Sequence, residues 1–206
     1  MQPPTGDLDL VRILDANLAE AARRAGPHLA CRIGCTQCCH GPFAINALDA
    51  LRLRAGMEAL RSSEPLRAKQ VEQRAREWID AYGPVFPGDS VTGVLGAAEE
   101  KGAPFEEFAD DAACPALDPA TGGCDLYAWR PMTCRIFGPP VRSMNECGEE
   151  GLGHCELCFT SATAEEVAAC EMPVPHRIEE RLLDEIGDIR ETVVAFALAR
   201  PSSFCS

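Results

Sequence analysis

Cysteine dominates the chemistry available to this 206-residue chain, which carries twelve of them. They are grouped. Cys31, Cys35, Cys38 and Cys39 fall within nine residues, Cys114, Cys124 and Cys134 recur at intervals of ten, and Cys147, Cys155 and Cys158 follow. Thiolates are nucleophiles, redox groups and ligands for soft or borderline metals. Grouping of this kind in a chain read as cytoplasmic, where structural disulfides do not persist, points to metal binding. Exported, the same even count would allow six disulfides.

In the first group, Cys31-x3-Cys35-x2-Cys38-Cys39, a helix at 100° per residue would project all four sulfurs within about a 100° arc. A loop eased by Gly34 at a helix entrance is the alternative, with amide hydrogens lowering the thiol pKa values. Either geometry gathers thiolates that repel one another unless a cation sits among them. The second group supplies further ligands: Gly122-Gly123-Cys124 ends a tight turn of the kind that presents thiolates to zinc, and Cys134 follows on the next turn. Seven thiols exceed one tetrahedral ion. They imply two sites, a multi-iron cluster, or one site with a spare thiol. His154-Cys155-x2-Cys158 adds a ligand pair or a second site. The expected ligands are therefore Cys31, Cys35, Cys38, Cys39, Cys114, Cys124, Cys134, Cys155 and Cys158. Cys170 and Cys205 read as ordinary thiols, His40 as a hydrogen-bonding or solvent-facing side chain, and His28 and His176 as structural.

Arg130 and Arg135 flank Cys134. They either offset thiolate charge or bind an anion, or form ion pairs with neighbours such as Asp125. Tyr127, Trp129 and Phe137 are expected to form a small core shielding the site. Gly148-x2-Gly151-x-Gly153 lacks a preceding strand and reads as a loop.

Charge and composition limit the partners. Net charge is −13, and it is lopsided: residues 1–80 carry +1 and residues 81–206 carry −14. So negative a surface repels phosphate backbones, and an aromatic content of 6% offers few stacking platforms, which argues against nucleic acid. No apolar run is long enough for a bilayer, and the amino terminus lacks the pattern of a signal peptide, so no membrane partner is expected. A protein partner or substrate is left unspecified.

The elements that must hold these sulfurs are mainly helical. Asp7–Ala25 has Leu10, Leu14, Leu18 and Ala22 on one stripe and stops at Gly26-Pro27. Ile45–Leu60 is helix-like. Ser63 as cap and Pro65 in the first turn start a helix to Tyr82 with Val71, Ala75, Trp78 and Tyr82 on one face. Residues 83–113 read as irregular. The turn DPATGG within Cys114–Phe137 suggests a small hairpin, and Arg130-Pro131 opens a helical turn carrying Cys134. Thr163 with Glu166 forms a capping box for a helix through about Glu171. Pro175–Arg200 reads as one helix. The expectation is a mainly α, irregular helical single domain over residues 1–206, with a small β-hairpin and a cysteine-rich metal-binding core at 28–160 under a C-terminal helical cover at 163–200.

The joint pattern of the first group with Cys114-Pro115-x-Leu117, Gly123-Cys124-x-Leu126-Tyr127 and Arg130-Pro131-x2-Cys134-Arg135-x-Phe137 resembles the YkgJ-like cysteine-cluster family of zinc- or iron-chelating domains, over roughly residues 28–140. The resemblance implies a metal-binding domain, often iron–sulfur containing. Because a related domain occurs in flagellin lysine methylases, it also admits a cluster-dependent enzyme that modifies protein side chains. This chain has three residues, not two, between its first cysteines. Cys-x3-Cys-x2-Cys is also the cluster spacing of radical SAM enzymes, but the strand–helix alternation of that frame does not follow Cys38. Three close thiolates suit three irons of one cluster, so the cofactor expectation leans to an iron–sulfur cluster over zinc. A purely structural zinc domain is the alternative, and a thiol-rich storage bundle is disfavoured because the long helices carry few cysteines.

Overall fold

The computed structural model describes residues 2–96, 105–144 and 150–199. Among these residues the chain is mainly helical, as expected. The helices are α1 (Asp7–Ala25), α2 (Ala47–Ser63), α3 (Pro65–Tyr82), α4 (Met132–Ile136), α5 (Ala164–Ala169), α6 (His176–Ile186) and α7 (Val194–Ala199). Two antiparallel pairs join β1 (Gly88–Asp89) to β2 (Val94–Leu95) and β3 (Val141–Met144) to β4 (Glu150–Gly153). The chain divides into two compact units. One takes the described parts of Met1–Pro4, Thr36–Pro131 and Leu183–Ser206, the other Thr5–Cys35 and Met132–Leu182.

In the first unit α2, α3 and α7 pack on one another. The Asn46 side chain accepts from the Asp49 amide and so starts α2. Just before it, Ile45 pairs with Thr192 through two backbone hydrogen bonds of 2.8 and 2.9 Å, which sets α7 against α2. The core joins Leu53, Met57 and Leu60 of α2, Val71 and Ala75 of α3, and Val194 and Leu198 of α7. Ala116 and Leu126, from the segments that carry Cys114 and Cys124, enter the same core. The cysteines are thus anchored by their apolar neighbours, each fully buried leucine contributing about 1.5–3 kcal/mol.

In the second unit α1 packs on α4. Its buried stripe is Leu10, Leu14, Ala21 and Ala25, which drifts by one residue from the Leu18–Ala22 expectation. Arg135 of α4 is fully buried and donates to Asp15 Oδ1 at 2.6 Å. The Arg24 guanidinium closes the far end of α1 by donating to the Ala169 and Glu171 carbonyls. The expected capping box of Thr163 and Glu166 is present.

Three expectations change. Pro175–Arg200 is not one helix: α6 ends at Ile186, and α7 begins only at Val194. The apolar register runs through both, but Thr192 is taken up by its pairing with Ile45, and Ile189 stands 96% exposed. Ser63 does not cap α3; it is the last residue of α2, its hydroxyl donating back to the Ala59 carbonyl. Gly151 and Gly153 lie in β4 rather than a loop, their partners being Ser143 and Val141. Arg200, Cys147, Gly148 and Cys205 lie outside the described residues.

Candidate metal centre

The first unit gathers four thiols. Chain around Gln37–Cys39 forms a single 3₁₀ turn, with the Cys39 amide bonded to the Thr36 carbonyl at 2.8 Å. The strand-like piece that follows zips onto the second cysteine segment: Cys114 N donates to Cys39 O at 2.7 Å, and Gly41 N to Ala112 O at 3.0 Å. Residues 38–39 and 114 are therefore fixed side by side by main-chain bonds.

Cys114 and Cys124 then sit at the head of matching turns. The Leu117 amide bonds to the Cys114 carbonyl at 2.9 Å, and the Tyr127 amide to the Cys124 carbonyl at 3.2 Å. Inside each turn the sulfur accepts main-chain hydrogens: Cys114 Sγ from the Ala116 and Leu117 amides, Cys124 Sγ from the Leu126 amide. An amide aimed at sulfur favours the thiolate over the thiol. A bridge between Leu117 and Cys124, with Asp125 N donating to Ala116 O at 2.8 Å, ties the turns into the small hairpin expected there. Proline at 115 fits the first turn because its position needs no amide hydrogen.

α3 clamps this hairpin. Arg74 donates to the Pro115 carbonyl at 2.8 Å and to Asp125 Oδ2 at 2.5 Å, and Arg67 takes Asp125 Oδ1 at 2.5 Å. Arg130 is buried and stacks on Tyr127 with its guanidinium carbon 3.9 Å from the ring centre, and its charge favours the thiolate at Cys38 and works against the burial that raises Cys124. Of the two readings offered for the arginines, Arg135 takes the ion pair, with Asp15. Asp125 pairs with Arg67 and Arg74 instead.

The electrostatics are those of crowded thiols. The Cys39 thiol donates to Cys38, which brings Cys38 down to about 6 and drives Cys39 well above the ordinary thiol range. Burial pushes Cys114 up to about 12, and burial also raises Cys124. Such groups cannot all ionise together in a low-dielectric setting without a counter-cation.

The remaining sulfurs of the first run belong to the second unit. The run is not helical there: the Cys35 amide bonds to the Arg32 carbonyl at 2.9 Å, and Gly34 at φ +88° makes the bend that favours glycine. Cys31 interacts with Cys35, Cys155 and Cys158, Cys155 interacts with Cys35 and Cys158, and Cys31 and Cys158 are hydrogen-bonded. Cys31 is exposed as a residue, but desolvation of its sulfur and the neighbouring Cys158 push its thiol up to about 12. Cys134 lies in this same unit on α4, whereas Cys114 and Cys124 belong to the first. Cys170 is buried beside Cys155 and Cys158. His40 is exposed, Nδ1 3.0 Å from Thr36 O, and His28 stacks on Phe159. Tyr127 and Phe137 are 62% and 42% exposed, so the expected aromatic shield is absent; Trp129 packs over Gly56 instead.

Among the described residues, no three His, Cys, Asp or Glu side chains already stand in ion-holding geometry. The thiols bond to one another, Cys39 donating to Cys38 in the first unit and Cys31 pairing with Cys158 in the second. Main-chain bonds from Cys114 to Cys39 and from Gly41 to Ala112 fix the neighbourhood of the first unit's thiols. The donor set, four thiols of which Cys114 and Cys124 have amide-supported sulfurs, fits zinc or iron and not magnesium or calcium.

Residues 30–151 match the family model CxxCxxCC, described as "Putative zinc- or iron-chelating domain". The chain belongs to this family. The match covers every member of the first unit's thiol group, Cys38, Cys39, Cys114 and Cys124, and ends before Cys155. No curated protein and no solved structure matches the chain. For a zinc- or iron-chelating domain, sequence reasoning missed the Arg67–Asp125–Arg74 clamp. The signal was there in Arg67 and Arg74, seven residues apart on one face of α3, but nothing local linked them to Asp125.

Proposed function

We propose that the first unit chelates one zinc or iron centre through Cys38, Cys39, Cys114 and Cys124, and that this centre serves to hold the fold. The observation that carries the reading is the pair of matching turns at Cys114 and Cys124, each aiming amides at its sulfur, bonded through Cys114 to the main chain of Cys39. Four protein thiolates close a tetrahedral ion and leave no position for a substrate, the mark of a structural site. An iron–sulfur cluster would use the same four thiolates. The chain's residues would supply charge, orientation through the Arg74 clamp, and partial neutralisation through Arg130; the metal would supply the cross-link.

Protein purified without air tests this through metal analysis, acid-labile sulfide and absorbance. Stoichiometric zinc in a colourless solution, or iron in a coloured one, is the expected result, with sulfide marking a cluster. Protein that folds and carries neither metal would overturn the proposal. The cytoplasmic setting belongs to this same reading: reduced thiolates are the form that binds.

A further inference from the structure

The second unit contains a thiol group of its own, and four of its features point to a ligand. Cys155 heads a turn of the same build as those at Cys114 and Cys124: the Cys158 amide bonds to the Cys155 carbonyl at 2.8 Å, and the Leu157 amide donates to Cys155 Sγ. Cys158 Sγ accepts from the Ala30 amide at 3.4 Å, so the main chain beside Cys31 is stitched to the Cys155–Cys158 turn. Phe159 N donates to His28 O at 2.8 Å and reinforces the stitch. Lastly, Cys31 Sγ lies against Gly138, where an added Cβ would meet the sulfur at 2.8 Å, and the Cys155 amide bonds to the Gly138 carbonyl at 3.3 Å.

Buried thiols that merely pack have no need of sulfur-directed amides. Here two amides from different segments point at two sulfurs, and a glycine at φ +124° makes room for a third. We infer that Cys31, Cys35, Cys155 and Cys158 form a second four-thiolate metal centre, distinct from the first and reaching beyond residue 151, where the family match ends. The chemical class of ligand is a thiophilic cation of the zinc or iron type. On this inference the chain is a two-centre protein, each unit closing around its own metal.

Cobalt(II), a coloured stand-in whose thiolate charge-transfer bands count sulfur ligands, is the probe. The full chain, reduced and freed of metal without air, is titrated with it. Two equivalents in the full chain are expected. The Cys155→Ala/Cys158→Ala chain should bind one, with about half the charge-transfer absorbance. A full chain that saturates at one equivalent, or a double variant that still takes two, overturns the second centre while leaving the first intact. A full chain that binds no cobalt defeats both readings. A measurement without any variant guards against misfolding: alkylation of the full chain followed by peptide mapping. Cobalt should protect Cys31, Cys35, Cys155 and Cys158 as strongly as Cys114 and Cys124. Equal labelling of Cys155 and Cys158 with and without cobalt overturns the inference.

Discussion

Arg74 and Asp125 are ion-paired at 2.5 Å across a side-chain environment in which the aspartate is only 2% exposed. Through that pair and its bond to the Pro115 carbonyl, one arginine holds both thiol-bearing turns of the first unit. Arg74→Ala leaves Asp125 to Arg67 alone and frees the Pro115 carbonyl. The expected cost is about 2 kcal/mol, the usual worth of a hydrogen bond to a charged group. Urea unfolding should show a lower midpoint at unchanged slope. A midpoint equal to that of the parent chain would show the clamp to be idle.

Cys38→Ser removes a ligand of the first centre, whereas Cys205→Ser alters a thiol assigned no ligand role. The first variant should lose one metal equivalent and melt lower; the second should do neither. Equal metal content in the two variants would defeat the assignment.

Stripping the metal should unfold or greatly loosen the first unit. Structural zinc in small domains carries an apparent binding energy of about 10–16 kcal/mol, which exceeds the net stability of many whole domains, about 5–15 kcal/mol. Circular dichroism during titration with a chelator is the check. Helix signal that persists unchanged after complete metal removal would rule out the fold-holding role.

Asp118 sits at the hairpin tip, accepting from the Thr121 hydroxyl at 2.7 Å and the Ala120 amide at 3.0 Å, and these bonds hold its carboxyl below the ordinary range. A carboxyl lowered in the folded state stabilises above its unfolded value of about 3.9 and loses that contribution as pH falls through the lower folded value. The stability gap between the parent chain and Asp118→Asn should therefore narrow between about pH 6 and about pH 3. The comparison cancels the acid sensitivity of the thiolates, which both chains share. A gap independent of pH would contradict the turn's electrostatics.

Much of this was legible in local sequence. The bounds of Asp7–Ala25 and the capping box at Thr163 follow from caps and periodicity, and both are as read. The main-chain bond between Cys114 and Cys39 joins two segments that their cysteine content alone marked in the sequence. What escaped was non-local. The continuous apolar register of residues 178–197 masks a break imposed by Ile45, some 147 residues before Thr192 in the chain. The division of the first run between the two units is likewise invisible in spacing, because nothing between Cys35 and Cys38 announces it.

The Leu117–Cys124 bridge and the bond from Asp118 N to Gly123 O close the hairpin beneath its tip. Residues 119–122 therefore lie outboard of everything that positions sulfur. Lengthening that tip would add only the slowly growing entropy of a larger loop, so the ten-residue interval between Cys114 and Cys124 is an accident of this chain rather than a coordination rule. Relatives bearing longer inserts at the tip should load metal equally well. By contrast, a single inserted residue within Cys114-Pro115-Ala116-Leu117 would swing the amides away from sulfur and abolish loading.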